Sequence, residues 1–146
     1  MTEEQVTKAI LKWLVENKWK IICYDFPQSG TGKVLHHNER ISGNKNKSSL
    51  IPDIVAIKND QVVFIENKDR FELSDVEKLN RDKIKNNYSE SIKKLLKPFV
   101  YKDMYFGIGI PSIFSEKAIN YKDKIDFILK TDGFMTEVTY QNTSIF

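Results

Sequence analysis

The stretch Ile51-Pro52-Asp53-Ile54-Val55-Ala56-Ile57-Lys58-Asn59-Asp60-Gln61-Val62-Val63-Phe64-Ile65-Glu66-Asn67-Lys68 reads as two apolar strands joined by a tight turn. With Asn59-Asp60 as a two-residue turn, Lys58 pairs with Gln61. The same register carried back along the strands sets Asp53 directly opposite Glu66. Side chains alternate faces along a strand, so Lys68 shares the face of Glu66. Like charges placed opposite each other destabilise a sheet. A cation is needed to offset them, and a divalent metal is the natural candidate. A surface Glu66–Lys68 ion pair on an edge hairpin would also account for these residues, but exposed pairs contribute little. It would leave two acids facing each other in an otherwise apolar sheet.

The flanking sequence supplies the rest of a domain. Thr2-Glu3-Glu4-Gln5 matches a capping box, and Val6, Ile10, Trp13, Leu14 and Asn17 follow at helical spacing, which predicts an amphipathic helix over 3–17. Glu3 projects onto the apolar stripe of that helix, with Glu4 about 100° away. Trp19 to Phe26 reads as a first strand. Residues 27–50 hold three of the six glycines and no apolar period, which predicts a long loop of the kind that is functional or mobile. Beyond the hairpin, Leu73, Val76, Leu79, Ile84, Tyr88, Ile92, Leu95 and Leu96 predict one long helix ended by Pro98. Tyr105 to Ile110 predicts a buried strand whose glycines admit another backbone or that second helix. A short helix over 115–122 and a hairpin of 127–130 with 135–140, turned at Thr131-Asp132-Gly133, complete the chain. The expected class is α/β, a mixed sheet flanked by helices with a core of about 1–110 and an accessory C-terminal hairpin in 111–146.

Composition narrows the function classes. A chain of 146 residues, 40% hydrophobic, 29% charged and 12% aromatic, is expected to form one globular domain rather than a disordered segment. Cys23 is the single cysteine, so neither a disulfide framework nor a zinc cluster is available from cysteines. No apolar run approaches 18 residues, and Thr2-Glu3-Glu4 does not resemble the basic start of a signal peptide. The expectation is a cytoplasmic protein without membrane contact.

Two carboxylates on adjacent strands can hold Mg²⁺ through hard oxygen ligands while leaving positions for water and phosphate oxygens. Such a metal activates water and offsets charge on a phosphodiester under attack, and a neighbouring lysine can orient the nucleophile. Asp53, Glu66 and Lys68 meet these needs, with Glu3 the best-placed third acid. Glu3 equally suits a helix-dipole role.

Pro52-Asp53, twelve intervening residues and Glu66-Asn67-Lys68 resemble the signature of the PD-(D/E)xK nuclease superfamily. The expected element order resembles its restriction-endonuclease-like αβββαβ core over about residues 1–110. The string Ile51–Lys68 is similar to the hairpin of archaeal Holliday junction resolvases and of some restriction endonuclease cleavage domains. The resemblance implies Mg²⁺-dependent hydrolysis of DNA, with Mn²⁺ able to substitute, Asp53 and Glu66 as metal ligands and Lys68 as the catalytic lysine. In the resolvases the helix acid aligns near Thr7, so Glu3 would act from one turn further back.

The loop before the hairpin carries Lys33, Arg40, Lys45 and Lys47 against the single Glu39, a surplus equal to the net charge of +3 of the whole chain. Together with Ser29, His36 and His37, these are the expected DNA contacts, since cations and backbone amides position phosphates and polar side chains reach base edges. Ser29-Gly30-Thr31-Gly32-Lys33-Val34 lacks the leading glycine and the trailing hydroxyl of a phosphate-binding P-loop. Lys78, Arg81, Lys85, Lys93, Lys94 and Lys97 are expected to form a solvated helix face. Together these features predict a restriction-type endonuclease or its cleavage subunit, acting as a homodimer or with a second nuclease or specificity subunit. A Holliday junction resolvase and a non-catalytic DNA-binding module are the alternatives.

Overall fold

The computed structural model describes residues 1–26, 29–41, 43 and 49–146; at 40, 41, 75, 76 and 78 it describes the backbone alone. Lys45 and Lys47, and the side chain of Arg40, lie outside the described residues.

Helix α1 (Glu3–Glu16) begins on both hydrogen bonds of the expected capping box: Gln5 N–H donates to Thr2 Oγ1 at 3.1 Å, and Thr2 N–H donates to Gln5 Oε1 at 2.8 Å. At its other end Lys18 takes a left-handed φ of 69°, its N–H bonds Val15 O, and Trp19 N–H bonds Leu14 O. This is a Schellman closure with a lysine where glycine is usual. Val6, Ile10 and Leu14 are buried against one sheet face, with Ile54, Ala56, Val63 and Ile65.

The sheet has six strands in chain order, β1 (Lys20–Tyr24), β2 (Ile54–Lys58), β3 (Gln61–Asn67), β4 (Asp103–Pro111), β5 (Phe127–Thr131) and β6 (Thr136–Gln141). The β1–β2, β2–β3 and β5–β6 pairs are antiparallel; β3–β4 and β4–β5 are parallel. The hairpin has the expected register, Lys58 opposite Gln61 and Ile54 opposite Ile65, with Asn59 at a left-handed φ of 56° in the turn. The second face packs Cys23, Val55, Val62, Phe64 and Phe106 beneath the helices after β3 and Leu35 of the loop, which also carries the short helix α2 (Asn38–Ile41). The molecule is therefore an α/β protein with a six-stranded mixed sheet and helices on both faces.

Three expectations are corrected. The helix predicted over 73–96 is three helices, α3 (Leu73–Lys78), α4 (Arg81–Asn87) and α5 (Ser89–Leu96). Asn80 interrupts it: its side chain accepts the N–H groups of Asp82 and Lys83 and starts a new helix. The five-residue step from Leu79 to Ile84 marks this break in the apolar period. The C-terminal hairpin is no accessory: β5 pairs with β4 and extends the main sheet. The close approach of another backbone expected at the β4 glycines is found, since a Cβ at Gly107 would meet the Phe127 carbonyl oxygen of β5. It would also meet the Phe127 ring, and one at Gly109 would meet Ile10 Cδ1 and Asn67 Oδ1. The expected helix over 115–122 is shorter, α6 (Ser115–Ile119), with single 3₁₀ turns on either side. No helix among the described residues is long and apolar enough to cross a membrane.

Candidate active site

Asp53 precedes β2 and Glu66 ends the alternating run of β3, so both stand at one end of the sheet. Alternation places Glu66 on the face of Phe64, while Ile65 and Asn67 turn toward α1. Asp53 is held in place by the strand opposite, where its Oδ2 accepts the Asn67 backbone N–H at 2.7 Å. Lys68 Nζ lies 3.7 Å from Glu66 Oε1 and 3.9 Å from Glu3 Oε1. The four residues singled out on sequence are thus gathered at the junction of α1, β2 and β3.

A second contact secures this junction. Asn67, fully buried, donates from Nδ2 to Thr7 Oγ1 at 3.0 Å, and Thr7 Oγ1 donates to Glu3 O at 2.9 Å. Thr7 therefore anchors the Glu66–Lys68 segment to α1. The acid that reaches Lys68 is Glu3, one turn earlier.

The two acids share an unfavourable electrostatic environment. Asp53 is pushed up to about 7, first by burial and then by the charges of Glu3 and Asp25, with the Asn67 N–H bond and Lys68 acting against the rise. Glu66 is pushed up to about 8 by burial and then by Asp53, against Lys68. The burial has a visible source: a cavity of about 20 Å³ lined by Pro52, Phe64, Leu79, Ile84 and Phe106 reaches up to Glu66. Two hard carboxylates in a poorly hydrated corner suit a divalent cation, which would stabilise both ionised forms. Among the described residues no group of three His, Cys, Asp or Glu side chains is placed to hold a metal ion. Asp53 and Glu66 lie close enough to repel each other, and Glu3, the expected third ligand, meets them through Lys68.

Asp25 is a neighbour that the sequence reading missed. Tyr24 pairs with Ile54, and Asp25 N–H donates to Asp53 O at 2.8 Å, so an acid besides Glu3 flanks the pair. A register shift between Ile21 and Cys23 obscured that pairing in the sequence.

The expected DNA contacts separate into two groups. Ser29 lies at the site, with its Oγ donating to Asp25 Oδ1 at 3.4 Å. Lys33 and His36 line a different cleft, with Ser91 and Lys94 of α5. There His36 N–H donates to Ser91 Oγ at 2.9 Å, and His37 sits edge-on to Tyr88 at 5.5 Å. Asn38 Nδ2 donates to Ser89 Oγ at 3.0 Å, so this part of the loop is docked on α5 by polar contacts. The expected solvated face on the later helices also needs correction at Arg81, whose Nη1 pairs with buried Asp126 at 2.8 Å.

Compared with known proteins, the chain matches no family model, no curated protein and no solved structure.

Proposed function

We propose that the chain is a Mg²⁺-dependent endodeoxyribonuclease of the PD-(D/E)xK type, restriction-type in its biology or the cleavage subunit of such a system. The observation that carries this reading is the convergence of Asp53, Glu66 and Lys68 at one end of the sheet. The order α1, β1, β2, β3, helices, β4 supports a restriction-endonuclease-like core. Mg²⁺, or Mn²⁺ in its place, would be held by Asp53 and Glu66 and would supply Lewis-acid stabilisation of the phosphate and a lowered pKa for water. Lys68, kept beside Glu66 and Glu3, orients the attacking water and offsets charge on the phosphate. Asn67 keeps the geometry rigid, its backbone holding Asp53 and its side chain holding α1.

One such site cuts one strand, so double-strand cleavage calls for a homodimer or a second nuclease subunit. A Holliday junction resolvase is the second reading, favoured by the likeness of Ile51–Lys68 to that hairpin. The test is incubation of purified protein with supercoiled plasmid, linear duplex and a synthetic four-way junction, in Mg²⁺ or in EDTA. Site-defined cutting of duplex supports the restriction-type reading, and preferential cutting of the junction supports the resolvase. Metal-independent cutting contradicts both.

A further inference from the structure

Phe134 is 96% exposed and Met135 66% exposed, both in the turn between β5 and β6. That turn is built rather than slack. Asp132 Oδ1 accepts the N–H groups of Phe134 and Met135, each at 2.8 Å, and Gly133 N–H donates to Thr131 Oγ1 at 3.0 Å. Gly133 takes a φ of +98°, a conformation that suits glycine. Two large apolar side chains are therefore held out into water by a fixed turn, an arrangement that folding does not require.

The position of this tip gives it meaning. Asn67 pairs with Gly109, Gly109 with Leu129, and Pro111 with Thr131, all in parallel. The tip thus leaves the sheet at the end where Asp53, Glu66 and Lys68 stand, two strand spacings or roughly 10 Å across from β3. The first turn of α1 links the two places. Glu3 approaches Lys68 to 3.9 Å on one side, and Met1 packs against Gly133 on the other. An open cleft of about 430 Å³ between α1 and the tip is lined by Met1, Gln5, Lys8, Lys12 and Phe134 among others. Lys8 and Lys12 pair with Glu4 and Glu16 on the exposed helix surface, contacts weak enough for a polyanion to replace.

We infer that the Phe134–Met135 tip is a wedge for a nucleobase. It inserts beside or stacks on a base a few nucleotides from the phosphate at Asp53 and Glu66, while Lys8 and Lys12 face the backbone. An aromatic face offers stacking to any base, and an apolar wedge unstacks a base step at the cost of local duplex order. This inference rests on the nuclease reading and adds how the substrate is gripped and distorted.

The test uses the full chain with Ca²⁺ replacing Mg²⁺ and oligonucleotides carrying 2-aminopurine at successive positions, as linear duplex and as four-way junction. The wild type is expected to change 2-aminopurine emission at one or two adjacent positions. Phe134→Ala should abolish that change and weaken binding by about 5- to 100-fold, the range expected for a lost base–aromatic stack. Phe134→Trp should retain both. Equal binding and an equal emission pattern in Phe134→Ala would overturn the wedge and leave the nuclease reading intact. Wild-type protein that neither binds nor cuts any DNA would overturn both. If Phe134→Ala alters only self-association in sedimentation, the tip is a protein contact and the wedge is likewise overturned.

Discussion

Asp53 Oδ2 accepts the backbone N–H of Asn67 at 2.7 Å, so a side chain continues the hydrogen bonding of the hairpin beyond its last backbone pair. This bond fixes the Asp53 carboxylate beside Glu66 even though their charges repel. Local structure and electrostatics are opposed here, which is what the proposed function expects of a site kept for chemistry rather than for stability.

The opposition makes stability depend on pH. In the fold Asp53 rises from 3.8 to about 7 and Glu66 from 4.5 to about 8. Protonation is therefore favoured more in the folded than in the unfolded chain. Their stabilising contribution is complete below about pH 4 and is lost as pH rises through about 7 to 8. Metal-free protein should lose stability across that window. The double variant Asp53→Asn/Glu66→Gln should flatten the curve and gain on the order of 1–3 kcal/mol at pH 8. Urea titrations in EDTA at several pH values measure this, and a double variant that follows the wild-type curve would contradict it.

Gly109→Ala should disturb the site from behind. Its Cβ would collide with Ile10 Cδ1 and Asn67 Oδ1, displacing the residue between Glu66 and Lys68. The expected cost is about 1–3 kcal/mol by thermal or denaturant melts. An unchanged melting curve would contradict the tight packing of α1 on β4.

Thr7→Val tests the anchor of the same segment. It removes the acceptor of Asn67 Nδ2, whose residue is fully buried and whose Oδ1 has no hydrogen-bond partner among the described residues. Leaving that amide unpaired should cost about 1–3 kcal/mol. A neutral result in urea titration would mean that the amide finds another partner.

Asp126 supports the opposite end of β4 and is the clearest structural ion pair. Its carboxylate accepts Phe106 N–H at 2.9 Å, Arg81 Nη1 at 2.8 Å and Asn142 Nδ2 at 2.7 Å. Asp126→Ala should destabilise by about 3–5 kcal/mol because a buried pair loses one member, and Asp126→Asn by less. Equal melts for the two variants would contradict a charge-dependent role.

The legible parts of this molecule were those set by local rules. A two-residue turn determines the register of β2 on β3, and the capping box of Thr2 marks the start of α1, so Asp53, Glu66, Lys68 and Glu3 could be brought together from spacing alone. Long-range choices left no such mark. Nothing in Phe127–Thr131 specifies pairing with β4 rather than an independent hairpin. The Thr7–Asn67 bond joins residues that no periodicity relates. Asn80 reads as an ordinary polar helix residue until its side chain caps α4, and the docking of His36 and Asn38 on α5 is polar throughout. Asp25 was hidden by a one-residue shift between β1 and β2.

The most direct measurement is the rate of plasmid cleavage in Mg²⁺ by wild type, Asp53→Ala and Lys68→Ala, with circular dichroism confirming that each variant is folded. The account predicts metal-dependent cleavage by the wild type and losses of about 100-fold or more in each variant, the scale expected when charge stabilisation in the transition state is removed. Cleavage that persists in EDTA, or full activity in both variants, would contradict it.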